Sequence, residues 1–223
     1  LNSVNVQGTI NLVRQAIQKR VKKFIFISSI KVNGEHSKQG ILNADDLPKP
    51  TGLYASSKFQ AENELRLLTE GTETQLVIVR PPLIYGPGLK ANFLKLIKTI
   101  SRSYLIPTNC FPAYRSYVHL ENLYEFINIC LLNSNADGET FLVSDGDDLT
   151  LDELILLILR ILERKPVMVP LSSKIIELFL KVAGRKSEVR KLMDPLQVSI
   201  EKNERLLKWT PRISFETGLR QTL

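Results

Sequence analysis

The run Phe24-Ile25-Phe26-Ile27 is apolar at every position, aromatic and β-branched throughout, and is followed directly by Ser28-Ser29. A strand with one wet face would alternate apolar and polar residues, so an unbroken run of this length reads as a parallel strand covered on both faces. Leu76–Val79 repeats the pattern. Between the two runs Tyr54, Lys58, Ala61 and Leu65 fall on one face of a helical pattern. Strands alternating with helices of this length predict an open α/β sheet, in which ligands sit at the carboxyl ends of the strands. Ser28 and Ser29 are placed at such an end.

The same alternation continues along the chain. A helix is expected over about 5–19, a polar loop over 33–51, the Tyr54 helix to about residue 70, and an excursion over 86–114 that contains an Asn92–Ser101 helix. Tyr117–His119 and a 120–132 helix return to the sheet, and the Asp137-Gly138 turn introduces a strand at Phe141–Ser144. Thr150-Leu151-Asp152-Glu153 has capping-box spacing and predicts a helix from Leu151 to about Arg164. An edge strand at Pro166–Pro170, a helix over 172–183 closed by Gly184, and helical pieces around Trp209-Thr210-Pro211 complete the pattern.

Composition excludes several classes. The chain has 223 residues, 43% of them hydrophobic, enough for a sizeable core. Cys110 and Cys130 form no C-x-x-C and no disulfide framework, no signal peptide is expected from the polar opening Leu1-Asn2-Ser3, and the apolar stretch Leu154–Leu159 is too short to span a bilayer. A cytoplasmic location is expected. The net charge of +7 and the cluster Lys181, Arg185, Lys186, Arg190 and Lys191 invite a nucleic-acid reading. That cluster lacks interleaved aromatics, so no nucleic-acid partner is expected, and a solvated helix face or electrostatic steering of a nucleoside diphosphate accounts for it. With His36 and His119 as the only histidines, no metal site is expected, and His119, inside an apolar strand, reads as structural.

The chemistry lies in Tyr54 and Lys58, a phenol and an ammonium one helical turn apart. A free phenol is a poor base near pH 7, but a cation about 4–6 Å away is worth roughly 2–4 kcal/mol at an effective dielectric of about 20. Such a pair can give and take protons at neutral pH. A solitary Y-x-x-x-K also arises from a core tyrosine and a solvated lysine, so its surroundings must decide.

Those surroundings are Asn5-Val6-Gln7-Gly8-Thr9, Ser28-Ser29-Ile30-Lys31-Val32-Asn33-Gly34, Tyr54-Ala55-Ser56-Ser57-Lys58 with Ala61-Glu62, the run from Arg80-Pro81-Pro82 to Tyr85-Gly86-Pro87-Gly88, and Arg115-Ser116-Tyr117-Val118-His119. In this order they resemble the extended short-chain dehydrogenase/reductase family, in its nucleotide-sugar epimerase/dehydratase branch, where residues 80–88 look like the turn after the second strand. The resemblance implies a Rossmann-like doubly wound parallel sheet, here without its N-terminal strands, over residues 1–85 and 115–146. It implies a smaller α/β substrate-binding lobe over 86–114 and 147–223. It implies catalytic roles for Ser29, which holds the reacting sugar oxygen, for Tyr54 as acid/base, and for Lys58. NAD or NADP would be bound by Ser28, Tyr54, Lys58 and the Pro81-Pro82 turn, with Asn5 as a supporting polar residue behind the cofactor site, and a nucleotide-sugar substrate by Ser29, Asn92 and Arg115, whose planar fork suits a diphosphate. A homodimer through the Tyr54 helix and the preceding long helix is also implied.

Three departures refine this. Relatives that eliminate water carry Asp-Glu where this chain has Ile30-Lys31, which disfavours a 4,6-dehydratase, and Leu83 stands where many relatives have asparagine. The family's G-x-x-G-x-x-G pyrophosphate turn is absent, which implies that an N-terminal portion is missing and that this stretch alone is inactive. The expected activity of the longer protein is hydride transfer at C4 of a UDP-hexose, N-acetylated in the finer reading, as a 4-epimerase or 4-ketosugar reductase serving surface polysaccharide synthesis. A catalytically silent nucleotide-binding relative is the alternative.

Overall fold

The computed structural model describes residues 2–88, 92–182, 184 and 193–223, side chains 92 and 179–181 excepted. The side chains of Asn92 and Lys181, together with Arg185, Lys186, Arg190 and Lys191, therefore lie outside the described residues.

A π-wound turn at Ser3–Gly8 leads into α1 (Thr9–Gln18), then β1 (Lys23–Ile27), α2 (Gly52–Thr69), β2 (Gln75–Arg80), β3 (Leu83–Tyr85) and α3 (Asn92–Arg102). β4 (Leu105–Thr108), β5 (Tyr114–Arg115), β6 (Tyr117–His119), α4 (Leu120–Leu132), β7 (Thr140–Leu142) and β8 (Leu149–Thr150) follow. The chain closes with α5 (Leu151–Ile161), β9 (Val167–Pro170), α6 (Ser173–Val182), α7 (Glu201–Leu207) and α8 (Phe215–Thr222).

The apolar runs pair in parallel, Phe24 opposite Leu76 and Ile27 opposite Val79, and β7 joins the other side of β2 with Val79 opposite Phe141. Period two then explains why β2 has no polar alternation. Leu76 and Ile78 pack with Val13 of α1 and Leu65 of α2, while Val77 and Val79 pack with Phe126 of α4 and with Phe141. Both faces are covered, as the unbroken run requires. Among the described residues β1 pairs with β2 alone.

A second cluster joins α3, α5 and α8 around Phe93, Ile97, Ile158 and Phe215. Beside it β4 pairs in parallel with β9. The capping box forms as read: the Thr150 side chain accepts from the Glu153 N–H, and the Glu153 carboxylate accepts from the Thr150 N–H at 2.7 Å. Residues 147–223 contribute to both clusters, since Leu207 and Trp209 pack beside Phe126 and Phe141. The reading of 80–88 as a turn is corrected, because Leu83–Tyr85 pairs with β6 in parallel, Leu83 opposite Tyr117. A three-residue strand between Pro82 and Gly86 is too short to leave a periodic signal.

Asp145 ties the two clusters together. Its carboxylate accepts from the Tyr85 hydroxyl at 2.8 Å, the His119 N–H at 2.8 Å and the Asn122 amide at 2.8 Å. Burial raises the Asp145 pKa, and those donors act in the opposite direction. His119 is fully buried, as its structural reading expected. Gly218 of α8 lies so close that a Cβ there would stand 2.8 Å from both His119 Cδ2 and the Tyr85 hydroxyl. Gly218→Ala is therefore expected to destabilise the protein by about 1–3 kcal/mol, overriding a helix-propensity gain of about 1 kcal/mol. A urea midpoint equal to or above that of the unaltered protein would refute the close packing of α8 on β6.

Candidate active site

The carboxyl ends of β1 and β2 gather most of the residues singled out from the sequence. Ser28 N–H donates to Val79 O at 2.7 Å and Ile30 N–H to Pro81 O at 3.0 Å, so the serine pair and the Pro81 turn are locked side by side. Pro81 and Pro82 are buried, and with φ fixed by their rings the turn holds one shape. Ser29 caps the short 3₁₀ turn Ile30–Val32, its Oγ accepting from the Lys31 N–H at 3.3 Å. Ser28 Oγ is buried with no hydrogen-bond partner among the described residues. An orphaned hydroxyl at this edge is what a polar group of a bound ligand would satisfy.

Lys58 reaches the same edge from α2. Its Nζ donates to Ile27 O at 2.9 Å and lies 4.7 Å from the centroid of the Phe26 ring. Burial lowers its pKa, opposed by the charge of Glu62 one turn further along. The ammonium has three donors, and the Ile27 carbonyl uses one. Tyr54 lies one turn earlier on α2 and is 42% exposed, open to a ligand at the sheet edge. Among the described residues its hydroxyl makes no hydrogen bond to a side chain or backbone group. Asn5 does not face the cofactor edge directly: its amide donates to Ser57 Oγ at 3.0 Å, and Ser57 Oγ donates to Tyr54 O at 2.9 Å. Through Ser57 it braces the start of α2.

Three residues that the sequence motifs contain, but to which the sequence assigned no role, hold this arrangement together. The buried Arg80 guanidinium forks onto Glu62, with Nε to Oε1 at 2.9 Å and Nη2 to Oε2 at 2.5 Å, and its Nη1 donates to Asn33 Oδ1 at 2.9 Å. Asn33 in turn donates to Asn43 O at 2.9 Å. One network thus joins the Lys58 helix, the strand end before Pro81, and the 33–51 loop. The available signal was Glu62 itself, a charge on the apolar stripe of α2 that a buried cation must answer.

Arg115 is set apart from these groups along the chain but is positioned by a strap over residues 194–199. Arg115 Nη1 donates to Asp194 O at 2.8 Å. Leu196 N–H donates to Tyr114 O, Ser116 N–H to Leu196 O, and on the strap's other side Leu42 N–H donates to Gln197 O. The strap therefore fixes the 33–51 loop and Arg115 against each other, and the Lys38 ammonium lies 2.7 Å from an Asp194 carboxylate oxygen. Burial lowers the Arg115 pKa, while Tyr117 and Asp194 raise it, and a guanidinium stays charged through such shifts. Among the described residues no group of three or more His, Cys, Asp and Glu side chains is placed to hold a metal ion. Among the described residues no helix is long and apolar enough to cross a membrane.

Comparison with known proteins agrees with this geometry. A family model described as the NAD dependent epimerase/dehydratase family matches residues 1–144. The chain is 37% identical over 221 residues to a UDP-glucose 4-epimerase of Vibrio cholerae, covering 98% of this chain and 67% of that protein. It is 32% identical over 164 residues, 73% of this chain and 49% of the relative, to the N-acetyl-alpha-D-glucosaminyl-diphospho-ditrans,octacis-undecaprenol 4-epimerase of Escherichia coli O157:H7. The crystal structure of UDP-glucuronic acid 4-epimerase from Bacillus cereus in complex with NAD superposes with a TM-score of 0.77 at 21% identity, over 97% of this chain and 65% of that one, a likeness of fold. The chain spans from about half to two thirds of the length of these curated relatives. A family model that matches residues 1–144 of 223, together with a relative 37% identical over 98% of the chain, shows that the chain belongs to the NAD-dependent epimerase/dehydratase family.

Proposed function

We propose that this chain is part of an NAD- or NADP-dependent nucleotide-sugar 4-epimerase or 4-ketosugar reductase acting at C4 of a UDP-hexose. The observation that carries the reading is the convergence of Ser28-Ser29, Lys58 and the Pro81 turn at the β1–β2 edge, with Tyr54 one turn from Lys58. Lys58 would hold the nicotinamide ribose with the donors not used on Ile27 O, and the Pro81-Pro82 turn would support the ring. When bound, the nicotinamide supplies the two-electron acceptor and donor for C4. Tyr54 takes the proton of the C4 hydroxyl as that carbon is oxidised and returns it on reduction, while Ser29 Oγ hydrogen-bonds the same oxygen. Ile30 sits at 3% exposure among Leu142, Leu196 and Val198, so a carboxylate there would be buried in an apolar cluster, which supports redox at C4 over elimination of water.

Arg115 would bind the diphosphate, with the adjacent Lys38 adding charge. An N-acetylated hexose, and a role in surface polysaccharide synthesis, is the finer form of this proposal, supported by the name of the Escherichia coli relative. The cytoplasm and a homodimer also belong to it, the latter through α2 and α1, whose Leu53, Leu67 and Leu12 are exposed. In the intact protein Arg115→Ala is expected to raise KM for the nucleotide sugar about tenfold or more with kcat nearly unchanged, since a contact remote from C4 contributes uniform binding. Equal losses in kcat would place Arg115 at the reacting centre and remove the diphosphate assignment. Residues 1–223 alone, whose sequence has no G-x-x-G-x-x-G, are expected to bind NAD and NADP weakly and to turn over no substrate. Micromolar affinity for either in calorimetry would overturn that.

A further inference from the structure

The strap over 194–199 is hydrogen-bonded as the centre of a small sheet. Its N–H groups alternate in direction. Leu196 N–H donates to Tyr114 O and Val198 N–H to Ser116 Oγ, whereas Gln197 N–H donates to Ser37 Oγ and Ser199 N–H to Leu42 O. Single parallel bridges join Leu196 to Arg115 and Val198 to Leu42, and β8 pairs antiparallel with β5, Leu149 opposite Arg115. The 33–51 loop, the strap, β5 and β8 are thus linked in one ladder. Between the strap and β5 the backbone ladder ends at Ser116, where the chain leaves for β6 and its pairing with β3. A side chain carries it one step further. Ser116 is buried, and its Oγ takes the place of a backbone carbonyl for the Val198 N–H at 3.0 Å.

A hydroxyl can fill that place only if its own proton points elsewhere. Asp148, the residue before β8, receives it: Ser116 Oγ donates to Asp148 Oδ1, and Gln197 Nε2 donates to Asp148 Oδ2 at 2.9 Å. One carboxylate therefore ties the end of β5 to the strap and to β8. We propose that Asp148 is a positioning residue for the diphosphate of the nucleotide sugar, an inference that rests on the assignment of that diphosphate to Arg115. By locking the strap against β5 it keeps Arg115 and Lys38 in place to bind one ligand together. The strap holds both cations, since Arg115 Nη1 donates to Asp194 O and the Lys38 ammonium lies 2.7 Å from an Asp194 carboxylate oxygen. Ser116 adjoins Arg115 in the chain, so fixing the serine fixes the backbone that carries the guanidinium.

The test is calorimetry of the intact protein, saturated with NAD, titrated with UDP, which carries the diphosphate and no sugar; NAD affinity is measured separately. Asp148→Ala should weaken UDP binding about tenfold, as expected for losing hydrogen bonds to a charged group, and leave NAD affinity within about twofold. Asp148→Asn should stay within about threefold of the unaltered protein, because its oxygen can still accept from Ser116 and its amide can donate to a rotated Gln197 amide. Gln197→Ala leaves the strap's backbone hydrogen bonds in place and should weaken UDP binding about threefold. Added to Asp148→Ala it should cause no further loss, since both act on one link. Unchanged UDP affinity in Asp148→Ala overturns the proposal, and if that variant fails to fold, unchanged affinity in Gln197→Ala does so. Equal weakening by alanine and asparagine also overturns it, because charge and not hydrogen bonding would then be the cause, and so does a parallel loss of NAD affinity, which marks a general loosening. An unaltered protein that binds NAD but not UDP would remove the nucleotide-sugar reading and this inference with it, whereas UDP binding indifferent to Asp148 removes this inference alone.

Discussion

Tyr54→Phe in the intact protein is expected to lower kcat by about 10²–10⁴-fold while nucleotide-sugar binding stays near its native strength, because the substitution removes the transferred proton and little else. The ring already has solvent on part of its surface, and among the described residues its hydroxyl supports no other group, so a fall in stability should not accompany the fall in rate. Retention of normal kcat would remove Tyr54 from the reaction. The pH profile offers a further check. Burial lowers the pKa of Lys58, and Glu62 opposes that shift. The ammonium is present below its pKa and lost as pH rises through it, so activity that needs the cation should fall on the alkaline side. Glu62→Gln, by removing the opposing charge, should move that fall to lower pH.

Arg80→Met is expected to destabilise the fold by about 3–5 kcal/mol, because it leaves the Glu62 carboxylate buried without its cation. Arg80 and Glu62 are 3% and 1% exposed, so water cannot replace the lost partner. Combining it with Glu62→Gln should return part of the loss, and the difference between the double variant and the sum of the singles measures the coupling. The network also holds the 33–51 loop through Asn33 and Asn43, so the single variants should weaken substrate binding under conditions where they remain folded. Simple additivity of the two substitutions in urea unfolding would mean that the fork does not act as a unit.

What could be read from the chain was decided by period and by chemistry. Phe24–Ile27 and Leu76–Val79 were legible because a strand covered on both faces has no polar position, and helices α2, α4 and α5 because their apolar residues recur at helical spacing. Thr150 and Glu153 announced the start of α5 through local hydrogen bonding alone. The strand β3 was not legible, because three residues between a proline pair and Gly86 carry turn chemistry while their pairing with β6 is a long-range contact. The strap over 194–199 was hidden for the same reason. It makes its hydrogen bonds with residues 37–42, residues 114–116 and Asp148, and nothing local in its own sequence anticipates them.

In the site, Ser29, Tyr54 and Lys58 stood out because few roles unite a hydroxyl, a phenol and an ammonium at such spacing. The Glu62–Arg80–Asn33 network did not, because its members are far apart in the chain and each alone has a bland reading. Asn5 was read as a residue behind the site, and its partner, Ser57, explains how it acts there: it braces α2 through the Tyr54 carbonyl. The side chain of Asn92 lies outside the described residues, so its part in substrate binding remains a proposal.

The most direct measurement is to incubate the intact protein, with NAD and separately with NADP, with UDP-glucose and UDP-N-acetylglucosamine, and to follow the sugar ring by proton NMR. Inversion at C4, with the splitting of H4 changing as its relation to H3 changes, and loss of that inversion in Tyr54→Phe, is the predicted result. A sugar unchanged at C4 in the presence of bound cofactor, with a UDP-4-ketohexose also left unreduced by NADH or NADPH, or inversion that proceeds at full rate in Tyr54→Phe, would contradict the account.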